Sequence, residues 1–162
     1  MKKKVCLVLA LVMLFVLPLA GCGGGGGDKE GTAGPKNLIL ATGGTSGTYY
    51  PYGGSMAQIW NDNIEGMNVT AQSTGASAEN LKLLANGEAD LAIVQNDVMD
   101  YAYNGTEIFK DQKISGFQAI GTLYPEVVQI VARPGIGIET IADLKGKRVS
   151  IGDAGSGVEA NA

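Results

Sequence analysis

Apolar and polar positions from residue 37 onward alternate between the period of a strand and the period of a helix. Short apolar or alternating runs are typical of β-strands, whereas apolar residues spaced three or four apart are typical of amphipathic helices. The strand-like runs are 37–42, 67–73 and 89–95, and the helix-like runs are 50–64, 77–87 and 96–105. This order of strand and helix predicts an α/β fold with a parallel sheet and helices on both faces.

The remaining pattern predicts further strands and two helix boundaries. Apolar runs indicate strands at 117–124, 127–134 and 147–152, with a short helix before the last of them. A glycine loop and the first residues of another helix follow at the carboxyl terminus. Within the helix predicted at 77–87, Ser77 is typical of an N-cap and Gly87 of the glycine that ends a helix.

The amino terminus has the pattern of an export signal. Three lysines precede an apolar run of 13 residues, Val5 to Leu17. A membrane-spanning helix needs about 20 residues, so we interpret 1–21 as a signal peptide. The sequence Leu19-Ala20-Gly21-Cys22 resembles the bacterial lipobox, which implies a lipid on Cys22; an ordinary cleavage site beside a chance cysteine is the alternative. Residues 22–36, rich in glycine, are then a flexible tether.

Charge and composition narrow the function. The chain has a net charge of −4, and loss of the three leader lysines leaves nine basic and 16 acidic residues, or −7. This balance argues against nucleic acid as a partner. The sequence has no histidine, Cys6 leaves with the signal, and Cys22 is alkylated, so the usual nucleophile–base pairs and zinc sites lack their side chains. We expect no catalytic residues, no metal and no cofactor, although a Ser–Lys or two-carboxylate mechanism stays open.

Small, hydroxyl and amide residues follow the predicted strands. Because ligands of open α/β sheets bind beyond the carboxyl ends of the strands, these loops predict the site. Its members lie in 43–50, 73–75, 95–97 and 153–157, together with Tyr124. Backbone N–H groups at helix N-termini, with Ser, Thr and Tyr hydroxyls, hold anions without a lysine or arginine. The loops therefore predict a site for a carboxylate or a phosphate.

Three stretches carry a family resemblance. The sequences "ATGGTSGTYYPYGG", "STGASAENLKLLANGEADLAIVQND" and "LYPEVVQIV…TIADLKGKRVSIGDAGSGVE" resemble the TAXI family of extracytoplasmic solute receptors of TRAP transporters, over residues 38–162. The resemblance implies a type II periplasmic-binding-protein-like fold, with two lobes of mixed or parallel sheet flanked by helices. Residues 37–124 then form most of lobe one, 125–134 the hinge-crossing strand, and 135–162 the start of lobe two. Family members are longer, so the second lobe is expected to be incomplete in this chain.

The resemblance also implies a site and a function. By position, the solute-binding residues are Gly44, Thr45, Ser46, Tyr49, Ser73, Thr74, Gly75, Gln95, Tyr124, Ser156 and Gly157. The implied function is capture of a small organic acid or acidic amino acid by a lipid-anchored, exported monomer that delivers it to a TRAP membrane permease. The alternative is the binding lipoprotein of an ABC importer of the thiamine-precursor, nitrate or sulfonate type. A lyase or transferase on the same fold is a third possibility, which the lack of histidine and thiol disfavours.

Overall fold

The computed structural model describes residues 36–162, and its centre is a three-stranded parallel sheet. The strands are β1 (Lys36–Ala41), β2 (Met67–Gln72) and β3 (Leu91–Ala92), in the order β2-β1-β3. Strand β1 pairs along its whole length with β2, from Lys36 opposite Met67 to Ala41 opposite Gln72. With β3 it pairs only at Leu40 and Ala41. The predicted α/β class and parallel sheet are confirmed.

Helices connect the strands. They are α1 (Tyr49–Asn63), α2 (Ser77–Asn86), α3 (Asn96–Asn104) and the short α4 (Gly157–Ala160). Two 3-10 turns lie at Glu107–Phe109 and Ile141–Leu144. The first three helices begin and end within one residue of the predicted bounds. None of the helices within residues 36–162 is long and apolar enough to cross a membrane.

Two apolar clusters form the core. Leu40, Tyr49, Ala57, Val69 and Ile93 form the first, where α1 packs against the sheet. At Gly53 this packing is tight, because a Cβ there would lie 2.5 Å from Cγ2 of Thr42. Ala78, Leu81, Val98, Ala102 and Phe109 form the second, between α2, α3 and the first 3-10 turn.

Asn80 joins α2 to the segments that follow all three strands. Its side chain is fully buried, and Nδ2 donates to the carbonyls of Thr42 at 2.6 Å and Ile93 at 2.8 Å. Its Oδ1 accepts from the Thr74 hydroxyl at 2.6 Å. Since a buried polar group without a partner is costly, these three bonds fix the carboxyl ends of β1, β2 and β3 relative to one another.

Several sequence-based predictions are wrong. The structure forms no strand at 117–124, at 147–152 or at 127–134, so the hinge-crossing strand predicted for 125–134 is absent from the described residues. A strand exists only when its backbone pairs with a neighbour, and these runs have none within 36–162. Strand β3 is shorter than the apolar run 89–95 for the same reason. The signal peptide 1–21, Cys22 and most of the tether lie outside the described residues.

Of the two predicted boundaries of α2, the one at Gly87 is confirmed and the one at Ser77 is wrong. Gly87 follows the helix in the left-handed conformation, with φ +71°, as predicted. Ser77 is the first helical residue rather than the N-cap, which is Ala76. The Ser77 hydroxyl instead accepts a hydrogen bond from the Gln95 backbone N–H at 3.0 Å, so it ties α2 to the end of β3.

Candidate functional site

A cleft of about 240 Å³ lies beyond the carboxyl ends of the strands. Loops after β1, β2 and β3 contribute to its walls, together with Glu126 and the glycine loop before α4. The lining residues are Gly43, Gly44, Ser46, Gly47, Thr48, Tyr49, Gly75, Ala76, Ser77, Gln95, Glu126, Gly152, Asp153, Ser156, Gly157 and Val158. Its position is the one expected for a ligand site in an open α/β sheet.

Seven residues predicted for the site line this cleft. They come from all the strand-end loops considered and are Gly44, Ser46, Tyr49, Gly75, Gln95, Ser156 and Gly157. The first three come from the loop before α1 and the first residue of that helix, and the last two are the N-cap and the first residue of α4. The loops after β1, β2 and β3 converge because parallel strands end at one edge. The segment before α4 directly follows none of these strands, and it is held there by the Gly155 carbonyl, which accepts from the N–H groups of Ala78 and Glu79.

Four other predicted residues lie nearby without lining it. Thr45 is exposed between two lining residues, and the Ser73 hydroxyl donates to the Gly43 carbonyl at 3.0 Å. The Thr74 hydroxyl donates to Asn80 and accepts from the Ala76 N–H at 3.1 Å. Tyr124 packs its ring against Tyr49, with ring centroids 6.5 Å apart. Ser73 and Thr74 are therefore engaged in holding the loops, while Tyr124 supports a wall of the cleft.

The N-terminus of α1 presents unused donors to the cleft. A turn closed by the Gly47 N–H to the Gly44 carbonyl, at 2.9 Å, leads into the helix. Within the described residues, no hydrogen bond uses the backbone N–H groups of Thr48 and Tyr49. Such groups carry the positive end of the helix dipole. With the exposed hydroxyl of Ser46, they form a set of neutral donors that suits an anionic group.

The N-terminus of α2 is satisfied from within the chain. The Gly155 carbonyl accepts from the N–H groups of Ala78 at 2.9 Å and Glu79 at 3.2 Å. The Glu79 carboxylate in turn accepts from the Gly75 N–H at 2.7 Å. Ala76, between them, has φ +78°, a backbone conformation that costs an L-residue about 1–3 kcal/mol. Strain of this kind persists where the surrounding structure holds it, as these bonds do here.

Glu126 connects two tyrosines at the cleft. Its carboxylate accepts from the Tyr49 hydroxyl at 3.1 Å and from the Tyr124 hydroxyl at 3.3 Å. Burial raises the pKa of Tyr124 to about 12, and the Glu126 carboxylate adds to the rise. Burial likewise raises the pKa of Tyr49 far above its ordinary value. Both hydroxyls therefore remain protonated donors over the physiological range.

Negative charge and unused acceptors mark the other walls. Glu126 and Asp153 are the charged residues of the lining, which contains no lysine or arginine. An Asp153 carboxylate oxygen lies 3.2 Å from the point where a Cβ on Gly44 would stand. Oε1 of Gln95 is buried and has no hydrogen-bond partner among the described residues. A Cβ on Gly157 would overlap the Gln95 side chain, so only glycine fits there.

The strand-end loops that the sequence predicts for the site do line the cleft, but several single residues outside them line it as well. The sequence did not predict Glu126, Ser77, Ala76, Gly152 or Val158 for the site, although the Tyr-Pro-Glu sequence around Glu126 stood beside a predicted site tyrosine. Tyr49 and Glu126 are 77 positions apart, so no local pattern links them. Among residues 36–162, no group of three His, Cys, Asp or Glu side chains is arranged to hold a metal ion.

Comparison with protein families agrees with this architecture. Residues 40–162, about three quarters of the sequence, match the model of the NMT1-like family. The match includes all three strands from Leu40 onward and every residue that lines the cleft. The protein belongs to the NMT1-like family, whose periplasmic-binding-protein-like members are exported solute-binding receptors.

Proposed function

We propose that the chain is the extracytoplasmic receptor of a TRAP-type (TAXI) secondary transporter, which captures a small organic acid or acidic amino acid and delivers it to the membrane permease. The observation that carries the proposal is the donor set at α1. Ser46, Thr48 and Tyr49 line the cleft beyond the sheet, and the backbone N–H groups of the last two are unused within the described residues. A solute carboxylate is the anion proposed for these donors.

Neutral donors of this kind can bind an anion without a lysine or arginine in the site. A hydrogen bond to a charged partner contributes about 1.5–3 kcal/mol, and the dipole of a 15-residue helix adds to it. Three such bonds contribute about 5–9 kcal/mol, and once about 4 kcal/mol or more is subtracted for immobilising the acid they supply at most about 5 kcal/mol, so tighter capture needs contacts with the rest of the solute. Binding of this strength allows both capture and release, as a transport receptor requires.

The proposal includes retention of the solute unchanged. The sequence contains no histidine, and its two cysteines, Cys6 and Cys22, stand in the proposed leader and at the proposed lipid site. Without these side chains, the common nucleophile–base pairs are not available to the cleft. We therefore assign it no catalytic residue.

The proposed context is an exported lipoprotein. Residues 1–21 are the signal peptide, Cys22 carries the lipid, and 22–36 form the tether. The TAXI assignment further implies a monomer with a type II two-lobed fold, in which 37–124 make most of lobe one and 135–162 begin lobe two. Metabolic labelling with a radioactive fatty acid tests the lipid, because Cys22→Ala should abolish the label and Cys6→Ala should retain it.

Calorimetry tests solute capture. Titration of the full chain with a panel of small carboxylates should give saturable heat with at least one of them. Replacing Ser46 by Ala should weaken that binding about tenfold, because one hydrogen bond to a charged group is lost. Ser55→Ala is the matched control, since Ser55 lies on α1, which follows the Ser46 loop, and its hydroxyl donates to the Pro51 carbonyl at 3.0 Å. An equal loss in both variants, or no heat with any acid, contradicts the proposal.

An ABC importer is the second candidate partner. The donor set at α1 is equally compatible with this partner, since nothing in it depends on the class of membrane protein that receives the solute. Cross-linking of the receptor to membranes of its own cells separates the two. Recovery of a permease without a nucleotide-binding subunit supports the TRAP assignment, and recovery of an ATPase overturns it.

A further inference from the structure

The two tyrosine hydroxyls at the cleft already hold a carboxylate, and it belongs to the protein. Glu126 accepts from Tyr49 at 3.1 Å and from Tyr124 at 3.3 Å, and its side chain also lines the cleft. The resemblance implied that both tyrosines bind the solute. In the structure their donors are occupied, so an incoming carboxylate at this wall would have to displace Glu126 or lie against it.

A further feature of the lining disfavours a second negative group. Asp153 adds another carboxylate, and the lining contains no lysine or arginine to offset either one. A solute group that donates hydrogen bonds can bond to these carboxylates, whereas a second solute carboxylate has no cation there to pair with.

We infer that Glu126 is a specificity-determining residue, which admits solutes with a single carboxylate and a second, hydrogen-bond-donating group and rejects dicarboxylates. This inference rests on the proposed capture of a carboxylate at α1, and it narrows the proposed solutes to monocarboxylic acids, which excludes the acidic amino acids. The first carboxylate binds the Ser46, Thr48 and Tyr49 donors. The second group, an ammonium, hydroxyl or amide, then faces Glu126. Carboxylates that share a site repel, and one of them must protonate or leave.

A pair of matched probes isolates the effect. Glutarate and 4-aminobutyrate have the same three-carbon chain and one carboxylate in common, and differ in carrying a carboxylate or an ammonium at the other end. Calorimetry on the full chain should show that 4-aminobutyrate binds at least about tenfold more tightly than glutarate, a difference of about 1.4 kcal/mol. The expected difference in affinity is modest because the Glu126 side chain is exposed, so its charge is screened by solvent.

Substitutions at Glu126 should then change the ratio of the two affinities. Glu126→Gln should reduce the preference about tenfold, and Glu126→Lys should reverse it. Glu65→Gln is the control for net charge, because Glu65 follows the distant end of α1, about 20 Å along the helix from the cleft. Far-ultraviolet circular dichroism and urea unfolding of each variant establish that the fold is retained.

The outcomes separate this inference from the proposed function. If a probe binds and the ratio is the same in wild type, Glu126→Gln and Glu126→Lys, Glu126 does not set specificity and the inference is overturned. If glutarate binds the wild type more tightly than 4-aminobutyrate, it is overturned as well. If neither probe binds at millimolar concentration while another carboxylate gives heat that Ser46→Ala weakens, the receptor proposal stands and the inference fails. If no carboxylate binds, both fail.

Discussion

Residues 36–109 and residues 110–162 have similar apolar runs but very different packing. Every fully buried hydrophobic side chain of the described residues belongs to the first region, which also contains all three strands. In the second region, Ile120 is 88% exposed and Val131 is 90% exposed. This comparison indicates that an apolar run forms a strand or part of the core only where another segment is available to pair or pack with it. The second region contacts the first at a few points, and the cleft lies along them.

Two phenylalanines give the largest expected contrast between the regions. Phe109 is fully buried in the second apolar cluster, whereas Phe117 is half-buried, with its ring 6.3 Å from that of Tyr103. We expect Phe109→Ala to lower the free energy of unfolding by about 4 kcal/mol and Phe117→Ala by about 1 kcal/mol. Urea unfolding measures both. Equal losses would mean that the second region shares the core fully.

Replacing Asn80 tests whether the stability of residues 36–109 depends on this buried amide. In Asn80→Ala, the carbonyls of Thr42 and Ile93 lose their donor in the interior, and we expect a loss of about 3 kcal/mol in the free energy of unfolding. The control is Asn86→Ala, an exposed position on the same helix, which should change it by less than about 0.5 kcal/mol. A small effect at Asn80 would show that water replaces the amide.

The tyrosine–Glu126 contact gives the smallest effect and tests the junction between the regions. Folding raises the pKa of Tyr124 from 10.0 to about 12, so its contribution to stability is complete below about pH 10 and is lost as the pH rises toward 12. In Glu126→Gln, the carboxylate no longer opposes ionisation, and tyrosinate absorbance should appear at lower pH than in wild type. Glu65→Gln should leave the titration unchanged. An identical curve in Glu126→Gln would place Glu126 away from the tyrosines in solution.

The sequence was informative where local chemistry decides the structure. Helix lengths follow apolar spacing, Gly87 ends α2 because it adopts a left-handed conformation, and the strand-end loops meet because the strands are parallel. It was uninformative where a distant segment decides. The runs at 117–124 and 127–134 need a pairing edge, which their own residues do not encode.

The candidate site shows the same division between residues placed by local structure and residues placed by a distant segment. Gly44, Ser46 and Gly75 were predicted to line it and do, since they lie in the loops that follow β1 and β2. Ser73 and Thr74 also follow a strand, but their short hydroxyl side chains bond to nearby groups of the protein instead. Glu126 was not predicted, because its position in the cleft depends on a contact with Tyr49 across 77 positions.

The central strand of the sheet is the first strand of residues 36–162, and this order has a consequence for biogenesis. Strand β1 finds β2 only after α1 has been synthesised, and its Ile39 N–H meets the Asp90 carboxylate across 51 positions. High contact order of this kind slows folding, because long loops must close before pairing is rewarded. Until residue 92 has been synthesised, one edge of β1 has no pairing partner. We therefore expect the nascent chain to need protection from aggregation at this edge.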